Sequence, residues 1–462
     1  MPMLIRASPE TTTGGRWAVL AVVLAAAVLD LLDATITNLA APAITADLGG
    51  GQALVQWLGA GYALALGVLL VTGGRLGDRY GRRRVFLTGL TGFTLASIAC
   101  GLAGDPGTLI AARIVQGAFG ALMIPQGYGI LAATFPRDQL GKAYSLFAPA
   151  LGASSVAGPV LGGFLIQADL LGLGWRAMFL INIVLGGGAL LAAVRLLPAD
   201  DGDRNTAVDA PGAALLGVAL LGLLYGLIDG SAGGWSARPF LCLAGGLAFA
   251  GLFCLRQRTA RNPLIEPSLL RHRGFTAGLV LGVVFFAAVS GLLYVLALFL
   301  QTGLGYSPLR AALHLTPVAL GIVVASVACH RLVTRLGRVL IAIGLGVTLL
   351  GALWLLAVVP GGAWALVPPV FVVGLGLGTC FGTVFDVTMG DLERHQAGSA
   401  GGVLSATQQL ANAAGAAAVT TVYFHAATQD LAVTHSLLVV IAATLTCCGL
   451  VWLLPRRPQN HH

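Results

Sequence analysis

Charge is scarce in this sequence. Only 10% of its 462 residues are charged, against roughly 25% in an ordinary soluble domain. A surface so poor in charge would not stay dissolved, which excludes a soluble enzyme or binding module. Lysine is nearly absent, Lys142 being the single one. Seven cysteines sit mostly inside apolar runs and form no Cys-x-x-Cys pair, so neither a zinc knuckle nor a redox couple is indicated. The chain has no GxxxxGK[ST] loop, HExxH, GxSxG or metal-ligand cluster, which argues against ATP-driven transport by this chain and against hydrolytic chemistry. Gly374-Leu-Gly376-Leu-Gly378 lies within an apolar run and is no dinucleotide loop. No polar stretch is long enough for a soluble sensor. No enzyme activity, metal or cofactor is expected.

Apolar length is what the sequence has in excess. Hydrophobic residues make up 57% of it, and its 65 glycines are spread through apolar runs. A spanning helix needs about 20 apolar residues. Fourteen such runs are expected, at about 17–41, 53–73, 84–104, 107–131, 141–167, 175–197, 210–229, 238–256, 274–301, 308–330, 338–359, 362–385, 397–422 and 434–455. The first is too long for a cleaved leader. Charge tests the count. With the N-terminus in the cytoplasm, 22 of the 26 Lys and Arg fall inside, 3 outside, and Arg113 lies within a span. Basic residues collect in cytoplasmic loops, and a missed span would scramble the alternation downstream. The net charge of +8 is thus a sign of orientation, not of nucleic-acid binding. Both termini are expected in the cytoplasm.

The expected fold is an all-α integral membrane protein. It comprises an N-terminal six-helix bundle over 1–197, an inserted helix pair with its linkers over 198–273, and a C-terminal six-helix bundle over 274–462. A repeat supports the division. Gly74-Arg-Leu-Gly-Asp78-Arg-Tyr-Gly81-Arg82 follows span two, and His330-Arg-Leu-Val-Thr-Arg-Leu-Gly-Arg338 follows span ten, 256 residues later. Duplicated halves around a central substrate site are how many secondary transporters are built.

Polar groups inside the spans are the functional candidates. Asp30 and Asp33 lie three residues apart in span one, on one helical face with Thr37. A carboxylate at that depth either binds and releases protons or holds helices together by hydrogen bonds. Arg113 needs a partner or a water-filled cavity. Asp386, near the end of span twelve, is either a second protonation site or a solvated helix-end residue. Asp78, Arg79, Arg82 and Arg83 lie at the cytoplasmic rim, where arginines set topology and meet lipid phosphates. Gly152, Gly158, Pro159, Gly162 and Gly163 permit a kink and close packing in span five. Ser405, Gln408, Gln409 and Asn412 form a polar stripe on span thirteen that either bonds helices or lines a cavity. His314 reads as a packing residue.

These motifs together resemble the major facilitator superfamily, and within it the fourteen-helix drug:proton antiporter branch. Gly74 to Arg84 resembles the loop motif between helices two and three. Arg113-Ile-Val-Gln116-Gly117 resembles the helix-four motif, and Gly158-Pro159-Val-Leu-Gly162-Gly163 the antiporter motif of helix five. Leu32-Asp33-Ala-Thr35-Ile-Thr37-Asn38 resembles the helix-one signature. Trp175-Arg176 to Asn182, and Phe299-Leu-Gln301 through Gly305-Tyr306-Ser307-Pro308, are similar to the same branch. Three departures stand out: Val184 where a proline is usual after Asn182, Thr334 in the second loop motif where the first has Asp78, and no acid along span thirteen.

The resemblance implies a proton-coupled carrier in the bacterial cell (inner) membrane that exports small hydrophobic or amphipathic drugs by alternating access, driven by the proton gradient and acting as a monomer among membrane lipids. It ranks Asp33 above Asp30 as the proton site, gives Arg113 a part in coupling, and makes the Gly74–Arg83 loop and the Gly158–Gly163 stretch gating elements. Thr37, Asn38, Gln116, Tyr294 and Gln301 are expected to line the substrate cavity. The alternatives are a carrier for another substrate (lipid, metabolite or nutrient), a non-transporting membrane receptor, or an integral membrane enzyme.

Overall fold

The computed structural model describes residues 13–169, 172–203, 209–261, 263–329, 332, 336–359, 362–389, 392, 396–426 and 428–454. Among these, fourteen helices reach twenty residues. We number them α1 (Thr13–Leu48), α2 (Gly51–Tyr80), α3 (Arg82–Gly101), α4 (Pro106–Thr134), α5 (Phe147–Ala168), α6 (Arg176–Leu196), α7 (Ala210–Gly233), α8 (Ala237–Thr259), α9 (Arg273–Leu298), α10 (Pro308–Cys329), α11 (Arg338–Val358), α12 (Ala363–Met389), α13 (Ala397–Phe424) and α14 (Gln429–Leu450). Helices prevail because a chain in hydrocarbon must satisfy its backbone hydrogen bonds internally. Among the described residues, twelve helices are long and apolar enough to cross a membrane; α5 and α13 are the long helices outside that set. α13 falls short because of its Gln408, Gln409 and Asn412 stripe. Leu95, Phe164, Val184, Leu241, Leu247 and Leu350 are exposed on the outer surface, as a lipid-facing wall requires.

Some boundaries differ from expectation. The run at 141–167 is broken into a short helix, Arg137–Ser145, and α5. Pro149 has no N–H to give Ser145 and lies in the first turn of α5, where that missing donor is tolerated. α12 continues to Met389, which puts Asp386 inside its last turn and buried, not solvated.

The packing repeats. α1 packs on α5 and α6, α2 on α4, and α3 on α4 and α6; α9 packs on α13 and α14, α10 on α12, and α11 on α12 and α14. The second set is the first shifted by eight helices. Even the close approaches correspond. A Cβ on Gly117 of α4 would sit 2.3 Å from the Tyr62 carbonyl of α2, and one on Gly374 of α12 would sit 2.2 Å from the Val318 carbonyl of α10. Gly81 and Gly337, just before α3 and α11, both take positive φ, 94° and 51°. Residues 330, 331 and 333–335 of the second loop motif lie outside the described residues.

The two sets meet in reciprocal fashion, α5 against α10 and α13 against α2. α7 lies on α2 and α13 along one seam, and α8 packs on α7. At the far end of α1, Asp47 accepts from Arg176 Nη1 at 2.6 Å and from Trp175 Nε1 at 3.0 Å, clasping α1 to α6.

Two predictions follow from this packing. Gly117→Val and Gly374→Val force backbone apart and should each destabilise by about 1–3 kcal/mol, whereas Gly187→Val, with nothing within 4 Å of its Cβ position, should be neutral. Melting in detergent checks this, and equal behaviour of all three would refute the close approach. The second concerns Asp47, whose carboxyl is held below its ordinary value by the hydrogen bonds from Arg176 and Trp175. A depressed folded value means the clasp stabilises above the unfolded value of about 3.9 and is lost as pH falls through the folded one. The melting-temperature gap between wild type and Arg176→Gln should therefore be present at neutral pH and close under strong acid; a gap that widens on acidification would refute it.

Candidate functional site

Successive residues turn by about 100° along a helix, so Asp30 and Asp33 diverge by about 60° on α1. That divergence decides their surroundings. Asp33 points into the α1–α6 group and is 3% exposed. One of its oxygens accepts from Arg113 Nη1 of α4. The other accepts from Gln116 Nε2 at 2.9 Å and from Asn182 Nδ2 of α6 at 2.8 Å. Asn182 also donates to Ser97 Oγ of α3 at 2.8 Å, and Ser97 donates to the Phe179 carbonyl at 3.0 Å. Arg113, 1% exposed, further donates through Nη1 to Gln116 Oε1 at 2.7 Å and through Nε to the Leu58 carbonyl at 3.2 Å. Its guanidinium carbon lies 4.4 Å from the Tyr62 ring centroid. One carboxylate thus ties α1, α3, α4 and α6.

Asp30 turns the other way, into a cavity of about 590 Å³ between the two helix sets. Its carboxylate accepts from the Tyr62 hydroxyl of α2. The cavity is also lined by Arg113, Met123 and Tyr128 of α4, Phe147 of α5, Phe381 and Phe385 of α12, and Ser405, Gln408, Gln409 and Asn412 of α13. Its volume falls in the range of small-molecule sites.

One end of the cavity is shut. Tyr128 stacks between Phe147 and Phe385, with centroids 5.7 Å apart on both sides and interplanar angles of 25° and 21°. Tyr144 meets Tyr128 edge-on at 6.1 Å. Beyond this plug lies the loop motif. Asp78 pairs with Arg82 at 3.3 Å and accepts from Ser399 Oγ of α13 at 2.6 Å, joining the two helix sets. Arg82 Nη1 donates to the Gly129 carbonyl at 3.1 Å, and its backbone N–H donates to Asp200 at 2.9 Å. Gly81 is required as glycine, since a Cβ there would lie 2.3 Å from the Asp200 carbonyl. Arg83 donates to the Val194 carbonyl at 2.5 Å, and Arg79 sits 5.3 Å from the Tyr80 ring centroid. Arg75 reaches the Pro263 carbonyl at 2.8 Å and Glu266 at 3.4 Å, and Gln396 donates to Glu266 at 3.3 Å.

Several expected cavity residues lie elsewhere. Thr37 is buried and returns its hydroxyl to the Asp33 carbonyl at 2.7 Å. Gln116 is consumed by the Asp33–Arg113 network. Tyr294 is 45% exposed on α9 and outside the lining. Gln301 is exposed in the π turn Phe299–Gly303. The side chains of Asn38 and Pro159 lie outside the described residues. Asp386 is buried beside Gly141 and outside the lining. Gly74 and Gly162 are buried and Gly163 half-buried. Gly158 packs on α1, where a Cβ would sit 2.0 Å from Thr35 Oγ1. Gly152 meets Ile322 of α10, across the seam. Tyr62, Ser97 and the aromatic plug were not singled out from sequence, and Asn182 entered only as part of a motif. The signal available was that a buried acid and a buried arginine each need several partners.

Comparison with known proteins agrees with this architecture. The Major Facilitator Superfamily family model matches residues 23–416. A probable actinorhodin transporter of Streptomyces coelicolor is 44% identical over 432 residues, covering 90% of this chain and 75% of the relative. The tetracenomycin C resistance and export protein of Streptomyces glaucescens is 35% identical, covering 90% and 78%. Among solved structures, the human organic anion transporter MFSD10 superposes with TM-score 0.70 at 16% identity, covering 94% of this chain and 99% of that one. The proton:xylose symporter XylE superposes with TM-score 0.69 at 15%, covering 95% and 96%.

Arg113→Ala leaves Asp33 buried without its cation and should destabilise by about 3–5 kcal/mol. The double change Asp33→Asn with Arg113→Gln removes both charges and should recover part of that loss. Detergent melts of the three proteins test this, and a double variant no better than Arg113→Ala would show that the pair does not act as a unit.

Proposed function

This chain belongs to the major facilitator superfamily, and from that premise we propose that it exports small hydrophobic or amphipathic drugs and antibiotics in exchange for protons, by alternating access. The observation that carries the proposal is a cavity of about 590 Å³ between the helix sets, with Asp30 on its wall and one end closed by contacts between the sets. Relatives named as antibiotic transport and resistance proteins support the substrate class.

In this reading residues 1–197 and 274–462 are the two moving bundles, and 198–273 is the inserted pair. All fourteen long helices cross the bacterial cell membrane, α5 and α13 included, because both pack within bundles of crossing helices. Both termini are cytoplasmic, in line with 22 basic residues against 3. The Asp78 end then faces the cytoplasm, and the cavity communicates with the outside. Protons and membrane lipids are the partners besides the drug, the proton gradient takes the place of any cofactor, and one chain suffices.

Coupling runs through Asp30, Asp33 and Arg113. Asp30 meets the cavity and exchanges the proton. Asp33 holds Arg113 under the Tyr62 ring, so a charge change at Asp30 is felt by the locked pair through Tyr62 and Arg113. Asp386, beneath the short helix Arg137–Ser145, is the second candidate for a proton. Release toward the cytoplasm requires parting Tyr128 from Phe385 and Asp78 from Ser399, with Gly74, Gly81 and the arginines of the loop as gate and Gly158, Pro159, Gly162 and Gly163 as the flexing stretch of α5.

Everted vesicles test the proposal. A panel of cationic, neutral and anionic drugs should discharge a preformed pH gradient with wild type, and Asp30→Asn should reduce that response at least tenfold. No response from correctly inserted wild type to any drug would sink drug–proton exchange. A full response from Asp30→Asn would move the proton to Asp33 or Asp386.

A further inference from the structure

Beyond the aromatic plug, α2 and the start of α13 face each other through residues one turn apart, Arg75 and Asp78 on the first and Gln396 and Ser399 on the second. Asp78 meets Ser399 directly, at 2.6 Å. Arg75 and Gln396, 6% and 3% exposed, are joined through the linker that follows α8. Arg75 donates through Nε to the Leu264 carbonyl, through Nη2 to the Pro263 carbonyl at 2.8 Å and through Nη1 to Glu266 at 3.4 Å. From the other side Gln396 Nε2 donates to Ser268 Oγ at 2.8 Å and to Glu266 at 3.3 Å, and Ser268 Oγ closes the triangle by donating to Glu266 at 3.3 Å. The linker is itself held in shape. Gln257 of α8 accepts from the Leu264 N–H at 2.9 Å and donates to the Ile265 carbonyl at 3.1 Å, while Leu264 and Leu269 are fully buried. An arginine has donors only, and Gln396 turns its donor group toward the same place. The acceptor between them comes from a third segment, as Glu266.

We propose that the linker after α8 is a latch on the gate, with Glu266 as the positioning residue that holds the start of α13 against α2 until the carrier opens at this end. This rests on the alternating-access reading above and gives the inserted pair a part in it. The latch has a built-in breaking point. Arg75 grips two backbone carbonyls and a carboxylate with a charged donor, whereas Gln396 offers a neutral amide to Glu266 and Ser268. Charge-assisted hydrogen bonds are roughly twice as strong as neutral ones. As α2 and α13 part, the linker stays on Arg75 and releases Gln396. The Asp78–Ser399 contact lies one turn away along both helices, so the two contacts part together and share control of the closed state.

Hydrogen exchange of the full chain in nanodiscs, read peptide by peptide, tests the latch without cargo or a proton gradient. Gln396→Glu sets a second carboxylate beside Glu266. Backbone exchange over residues 74–82 and 400–406 should rise about tenfold, the loss of a hydrogen bond to a charged acceptor. The far end of α13, around Thr421, should stay within about twofold of wild type, as local opening requires. An acid at the start of a helix favours the helix, so the rise cannot come from a weakened α13. Adding Glu266→Gln to Gln396→Glu exchanges amide and carboxylate, and should bring the same peptides back to within about twofold of wild type. Gln396→Leu removes the donor without adding charge, should also raise exchange there, and carries the test if Gln396→Glu does not fold. Unchanged exchange in the folded single variants overturns the latch. So does a double variant as open as Gln396→Glu alone. The vesicle experiment judges export separately.

Discussion

The cost of placing charge in hydrocarbon governs the rest of this structure. An ion pair removed from water repays its desolvation only if its geometry is good and its remaining polar atoms are satisfied. Asp33 and Arg113 meet that condition with the help of Gln116, Asn182 and the Leu58 carbonyl. The pair and these partners come from four helices, so satisfying one pair fixes the relative positions of α1, α2, α4 and α6. The same arrangement leaves Asp30, one turn earlier, as the carboxylate on the cavity wall. Sealing one acid and presenting the other are two consequences of a single helical rotation.

How much of this was legible in the sequence depends on whether the signal is local. Apolar length is local, and it anticipated where the long helices lie. The break before α5 was not legible from Pro149 alone, because α4, α10 and α12 run through Pro125, Pro317 and Pro368. The site was legible only in part. Asp30, Asp33 and Arg113 stand out because ionisable residues in apolar runs are rare. Which of the two acids faces the cavity depends on helix rotation, and no spacing rule fixes that. Thr37 and Gln116 were expected on the cavity wall, yet Thr37 bonds the Asp33 carbonyl and Gln116 serves the buried network. The amide stripe of α13 was visible, but its choice between bonding helices and lining a cavity required its neighbours.

The inserted pair also gains meaning from contact. Its two linkers do not hang free of the gate. The first lays Asp200 against Gly81 and the backbone of Arg82, and the second offers Pro263, Leu264 and Glu266 to Arg75. Gln396, just before α13, reaches Glu266 as well. The insertion is therefore fastened to the same loop that Asp78 joins to Ser399. A change in the loop must be accommodated by both linkers.

The duplication makes the polar network more informative, because the second half lacks it. Gly117 and Gly374 occupy corresponding close approaches. Four and one residues before Gly117 stand Arg113 and Gln116; four and one residues before Gly374 stand Val370 and Val373, both buried in an apolar core. At the corresponding place the C-terminal half has apolar packing, with single hydroxyls bonding helices elsewhere, Ser326 to the Gly378 carbonyl at 3.1 Å and Ser290 to the Asn412 carbonyl at 3.0 Å, whereas the N-terminal half adds a charged lock. An apolar interface can slide among near-equivalent contacts, whereas a hydrogen-bonded pair has one good geometry. The two halves should then differ in stiffness, the helices tied by the pair being the stiffest and adjustment falling to α5 and the C-terminal set. Phe385, which closes the plug from α12, belongs to the set that can yield.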